Sequence, residues 1–198
     1  MKKKIGIAIV VVFIIGLSVI LNIDKLIPIL MDIEYAKFEV TGDTAIMTGV
    51  INTGTPKDVE DLIKKHPNLK TIIMKNVPGS IDDIANLEAS RLIRKYGLNT
   101  HVPSDGMIAS GGTDFFCAGV KRTIENGAEI GVHSWASGDI EDASKLSRNH
   151  PEHKKYLDYY NEMDILEDFY WFTIEAAPAS DIYIMNKDEM EKYKLINK

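Results

Sequence analysis

Ser110 stands in the run Ile108-Ala109-Ser110-Gly111-Gly112, between a strand-like apolar stretch and a helix-like segment. A serine so placed presents its hydroxyl at the start of a helix, with the following amide, from Gly111, pointing into the same space. Nucleophilic catalysis needs a hydroxyl beside free N–H groups that can hold a developing oxyanion. Gly111 and Gly112 would let backbone and substrate approach closely. A plainer role suits the same residues, with Ser110 an ordinary helix cap and the glycines a tight turn. His133 ends the strand-like Ile130-Gly131-Val132 and could serve as a general base, or could simply be a half-buried residue at a strand end. Asp181 follows Ala177-Pro178-Ala179-Ser180 and precedes a strand-like run, where a lone aspartate usually closes a turn or serves as a cap. Pro78-Gly79-Ser80 follows another strand-like run and could turn backbone amides toward an anion.

Other reactive side chains have plainer readings. Cys117 is the single cysteine, so an intrachain disulfide is excluded. Within Phe115-Phe116-Cys117-Ala118-Gly119 it reads as a small buried hydrophobe, and otherwise as a rival nucleophile. His150 and His153 flank Pro151-Glu152 without further spaced ligands, which reads as a solvated loop and not a metal site. The aromatic series Tyr156, Tyr159, Tyr160, Phe169, Tyr170, Trp171 and Phe172 suits a core or a subunit contact better than a cofactor box. No metal or organic cofactor is expected.

The elements that must position these residues alternate. Residues 38–40 and 45–51 read as strands around a Gly42-Asp43 turn. Thr55-Pro56 opens a helix with Thr55 as a plausible N-cap, and residues 70–75 form a buried-type strand. A long helix over 81–96 closes at Gly97. Short strands follow at 100–102 and 106–109, then a helix over 111–124 and a strand over 129–132. Residues 136–153 read as a polar, exposed excursion. A helix over 154–176, a strand over 182–185 and a helix over 187–193 complete the chain. Such alternation predicts an α/β fold with crossovers on a sheet.

Bulk composition narrows the function. The chain has 198 residues and a net charge of −6, so an anionic nucleic acid is not an expected partner. Lys2-Lys3-Lys4 precedes an apolar run from Ile5 to Leu21, which with Asn22 and Ile23 approaches the roughly 20 residues that span a bilayer. No small-x-small cleavage site lies near residues 18–22, where Val19, Ile20 and Leu21 are bulky, so a retained anchor is favoured over a cleaved signal peptide. The expected organisation is an anchor over residues 1–23, a connector over 24–34 and one catalytic domain over 35–198.

In combination and order, the motifs resemble the Clp protease proteolytic subunit and signal peptide peptidase A, within the wider Clp/crotonase superfamily. The match runs through Met74-Lys75-Asn76-Val77-Pro78-Gly79-Ser80 and its following helix, then Ala109-Ser110 with Ala118-Gly119 and Arg122 beyond. Val132-His133, and Asp181 before Ile182-Tyr183-Ile184, complete it. It covers roughly residues 38–195 and is closest to membrane-attached or periplasmic bacterial Clp-like proteins, on the phrases Ser110-Gly111-Gly112-Thr113-Asp114 and Gly131-Val132-His133-Ser134-Trp135. The resemblance implies a serine peptidase with Ser110 as nucleophile, His133 as base and Asp181 as orienting carboxylate. It implies oxyanion donors at Gly79 and Gly111, a peptide or protein substrate, and a homo-oligomer. Asp164, Asp168 and Asp188 compete with Asp181, and Ser80 departs from the family's second loop glycine. An esterase or thioesterase on the same fold, or an idle scaffold that binds a membrane partner, are the rival readings.

The positive-inside rule retains the three lysines in the cytoplasm and exports the C-terminal part. A reporter fused after Lys198 is therefore expected to be active only outside the cytoplasm. A cytoplasm-specific reporter that works there contradicts this topology.

Overall fold

The computed structural model describes residues 33–197; the expected anchor at residues 5–23 and most of the connector lie outside them. Among the described residues no helix is long and apolar enough to cross a membrane.

The chain opens with a hairpin. β1 (Lys37–Thr41) runs antiparallel to β2 (Thr44–Thr48), around a turn in which Gly42 takes φ +62°. A crossover through α1 (Thr55–Lys65) leads to β3 (Thr71–Val77), parallel to β2. Thr55 is not the cap. It is the first helical residue, fully buried, and its hydroxyl accepts the Asn52 amide at 3.0 Å. α2 (Asp83–Lys95) starts where the Asp82 carboxylate accepts the Ala85 amide. It ends in a Schellman closure, Leu98 N–H to Ile93 C=O and Gly97 N–H to Arg94 C=O.

β3 is a fork. Its first half pairs with β4 (Asn99–Val102) and its second half with β5 (Met107–Ala109), both in parallel. Pro103, lacking an amide hydrogen, sits where the chain leaves one branch for the other. β6 (Arg122–Ile124) then extends the β4 branch, and β7 (Glu129–Val132) extends the β5 branch. In both pairings each residue faces the one 22 positions onward. The two-strand unit is thus repeated in space, although its copies share only Ile108/Ile130 along that register. β8 (Tyr183–Ile184) closes the second branch, antiparallel to β7. α3 (Gly111–Cys117) joins β5 to β6, and α4 (Lys154–Glu162), α5 (Glu167–Ala176) and α6 (Lys187–Lys192) complete the chain.

The core joins sheet residues Met47, Ile72, Met74, Ile108 and Ile130 to Phe115 and Phe116 of α3. Tyr159, Tyr160, Phe169 and Tyr170 of α4 and α5 extend it, so the aromatic series is core.

Three further expectations change. The helix expected over 111–124 stops at Cys117, Val120 is 45 % exposed, and residues 122–124 join the sheet. Arg122 explains the stop. Its guanidinium is buried and donates to the carbonyls of Leu195 (2.7 Å), Gly119 and Lys194 (both 3.0 Å), and Cys117 (3.3 Å). The helix expected over 154–176 is two helices, because Asp164 adopts φ +54° and the Met163 carbonyl turns to accept Arg94 at 2.8 Å. The 136–153 excursion packs onto the body through two 3-10 turns, with Asp142, Ala143 and His153 buried.

Replacing Arg122 leaves several buried carbonyls without donors. Arg122→Met is expected to lower stability by about 3 kcal/mol or more, measured by urea unfolding. A variant as stable as the parent contradicts this role.

Candidate active site

Ser110 occupies the junction of β5 and α3 in a strained conformation, φ +52° and ψ −127°. Two bonds to one carbonyl hold the junction. The Ser110 amide (3.1 Å) and the Thr113 hydroxyl (2.8 Å) both donate to Gly131 C=O on β7. The Ser110 carbonyl accepts the Thr113 and Asp114 amides, but its side chain makes no cap bond. The hydroxyl is therefore not a helix cap, and Ser110 lines a cavity instead.

The loop after β3 lies against this serine. Gly79 has φ +153°, and a Cβ there would come within 3.4 Å of the Ser110 Cβ. Its carbonyl accepts the Ile51 amide at 2.9 Å, and the Gly111 carbonyl accepts the Asn86 side-chain amide at 3.0 Å. Among the described residues, the amides of Gly79 and Gly111 donate to no backbone acceptor. Gly112 must be glycine because a Cβ would sit 2.1 Å from the Val77 carbonyl oxygen.

His133 shares the cavity, which has a volume of about 270 Å³. It follows directly on β7, so the Gly131 anchor sets the spacing of strand end and elbow. Burial pushes its pKa below the ordinary histidine value, opposed by the Ser134 backbone and by the charges of Asp83 and Asp142. Its Nδ1 is buried and has no hydrogen-bond partner among the described residues.

Asp181 does not bond to that nitrogen. It is exposed, its amide closes a turn onto Pro178 C=O, and its carboxylate accepts the next amide, of Ile182, at 2.8 Å. Asp164, Asp168 and Asp188 do not line the cavity. Asp142, which sequence reasoning missed, is 8 % exposed and acts on His133 through its charge. Burial pushes its pKa up, but hydrogen bonds from Ser134 and Ser144 outweigh that and hold it below the usual carboxylate range.

Asp83 and Asp114 were also missed, and both line the cavity. The Tyr156 hydroxyl donates to Asp83 at 2.6 Å, as does the Ser80 hydroxyl at 2.7 Å; the Tyr160 hydroxyl donates to Asp114. Tyr156 and Tyr160 are four apart on α4 and so share a helix face, a signal present in the sequence. Burial pushes the Asp114 carboxyl up to about 7, the Tyr160 hydrogen bond opposes this, and the Asp83 charge adds to it. Cys117 is fully buried with its thiol pushed up to about 12 by burial, which suits a packing residue and not a nucleophile.

A base whose pKa is lowered stays neutral until the pH falls below the ordinary histidine value of about 6.5. Reaction of Ser110 with a fluorophosphonate probe is expected to keep its rate down to that pH and fall below it. Asp114→Asn should remove any second inflection near pH 7. An acid limb well above 6.5 in that variant contradicts a buried neutral His133.

The sequence matches no family model and no curated protein. Solved structures do match. An enoyl-CoA hydratase/carnithine racemase from Magnetospirillum magneticum superposes with a TM-score of 0.53 and 15 % identity, over 83 % of this chain and 67 % of that one. Methylmalonyl CoA decarboxylase gives a TM-score of 0.52 and 9 % identity over the same shares. The 1510-N membrane-bound stomatin-specific protease, in complex with a substrate peptide, gives 0.50 and 14 %, over 75 % of this chain and 71 % of that one. At these identities the likeness carries the fold and not the reaction. The forked, largely parallel sheet with its strand-repeat and elbow is therefore the Clp/crotonase fold, which this chain shares with hydratases, decarboxylases and proteases.

Proposed function

We propose that the protein is a serine hydrolase, anchored in a bacterial membrane with its catalytic domain outside the cytoplasm, and that it cleaves peptides. One observation carries the reading: Ser110 is held in a strained elbow with its hydroxyl free of capping, in a cavity it shares with His133. Strain of this kind costs about 1–3 kcal/mol and persists where the surroundings over-determine it. A serine serving only as a cap has no need of it.

In the proposed reaction Ser110 Oγ attacks a carbonyl carbon, and His133 accepts the hydroxyl proton. The tetrahedral oxyanion is held by the amides of Gly79 and Gly111, which have no competing backbone acceptor among the described residues. His133 then returns the proton to the leaving group, and water releases the acyl group by the same steps in reverse. The imidazolium formed on the way is favoured by the charges of Asp83 and Asp142. Asp181, committed to the Ile182 amide, is not needed for this. The acidic cavity disfavours the anionic phosphates of an acyl-CoA, and this favours a peptide among the substrates that enzymes of this fold accept.

Ser110→Ala is expected to abolish fluorophosphonate labelling. His133→Ala should slow it by about 100-fold or more. Asp142→Asn should slow it, whereas Asp181→Asn and Cys117→Ser should leave it within about twofold of the parent. Wild-type protein that never labels, or Ser110→Ala protein that still does, replaces this reading with a non-catalytic module.

A further inference from the structure

The cavity beside Ser110 has an acidic wall, Asp83 and Asp114, and among the described residues no lysine or arginine pairs with either carboxylate. Asp83 and Asp114 come from the first turns of α2 and α3, both line this cavity, and the charge of Asp83 reaches Asp114. Their hydrogen bonds come from neutral hydroxyls: Ser80 and Tyr156 to Asp83, Tyr160 to Asp114. Burial drives both tyrosine pKa values far up, so these donors stay neutral. Lys155 is the one lysine or arginine among the described residues lining the cavity, and its ammonium pairs with Glu152 at 3.2 Å.

The other walls are aromatic. Trp135, Tyr156 and Tyr170 line the same space. Ring faces attract cations, and the Lys155 ammonium already stands 5.1 Å from the Tyr156 ring centre and 5.5 Å from that of Trp135. A cavity lined by the carboxylates of Asp82, Asp83 and Asp114 and by aromatic faces repels an anionic group and attracts a cationic one.

We propose that this cavity selects a positively charged group on the substrate, the alkylammonium or guanidinium that a lysine or arginine side chain carries, with Asp114 and Asp83 as the selecting residues. The inference rests on the Ser110 reading for its place in catalysis, but not for binding. Asp114 lies one helical turn from Ser110, so a cation bound there sits beside the proposed scissile carbonyl. It would stand against both carboxylates and offset their mutual repulsion.

The test compares two diphenyl phosphonate probes, one bearing an aminobutyl side chain and the other a neutral pentyl side chain of the same length. Wild-type protein is expected to label at least about tenfold faster with the aminobutyl probe, and Asp114→Asn and Asp83→Asn to bring the ratio within about twofold. Because the readout is a ratio within each variant, a general loss of reactivity cancels, and the second variant stands if the first is unstable. Equal labelling of wild-type protein by both probes overturns the proposal. A second arm does not use the nucleophile: butylguanidinium, but not neutral butylurea, should raise the melting temperature of Ser110→Ala protein, and Asp114→Asn should remove the shift. If neither probe labels, the serine reading fails, and this second arm alone decides the charge selection. Equal shifts from the two ligands, or none from either, overturn it.

Discussion

The carbonyl oxygen of Gly131 accepts two hydrogen bonds, from the Ser110 amide and the Thr113 hydroxyl. One acceptor on β7 thereby ties down the elbow that ends β5 and the first turn of α3. It lies two residues before His133, so strand and elbow cannot shift independently. The packing around it leaves little freedom. A Cβ on Gly131 would press on Ile182 and Ala109, and one on Gly112 would strike the Val77 carbonyl. Phe115, Phe116 and Cys117 behind them are fully buried. The positive φ of Ser110 follows from these constraints, because a relaxed elbow would have to break the β5–β7 register or lift α3 from the core.

Polar clamps hold both ends of the short helix α3. At its start, Asn86 from α2 donates to the Gly111 carbonyl, and Tyr159 and Tyr160 from α4 reach the Asp114 carbonyl and carboxylate. At its end, Thr100 donates to Phe116 C=O, and Arg94 and Arg122 donate to Cys117 C=O. Seven residues cannot hold a helix by backbone bonds alone. Here the last carbonyls, of Asp114, Phe116 and Cys117, find donors on neighbouring elements, so the helix that presents Ser110 is held by tertiary contacts while its first amide has no backbone acceptor among the described residues.

The electrostatics of the cavity follow from where burial and charge compete. Burial favours a neutral imidazole on His133, while Asp83 and Asp142 favour its charged form. That balance suits a group that must accept a proton and then release it. Asp114 meets the same competition with the opposite sign: burial and the neighbouring Asp83 both disfavour its charge. The two carboxylates are tolerated together because hydroxyls from Ser80, Tyr156 and Tyr160 supply their hydrogen bonds.

Much of the α/β order was legible in local pattern. The alternation of apolar residues, Pro-Gly punctuation and the Ser110-Gly111-Gly112 junction mark the strands, the crossovers and the elbow, because each depends on residues close together in the chain. Two helix lengths were misjudged for the complementary reason. The stop after Cys117 depends on Arg122 meeting carbonyls at residues 194 and 195, and the break at Asp164 goes with Arg94 binding Met163 C=O. Neither partner is visible in a local window. The acidic wall was missed in the same way, since Asp83 meets Tyr156 across 73 residues and Asp114 meets Tyr160 across 46. Asp181 looked suitable by order along the chain, yet a carboxylate one bond from a free amide satisfies itself locally, and Ile182 takes it. The sequence by itself determined which residues could react and which local turns present them. Which charges face the cavity was decided only by the tertiary structure, because electrostatic partners are chosen by distance in space and not by separation in the chain.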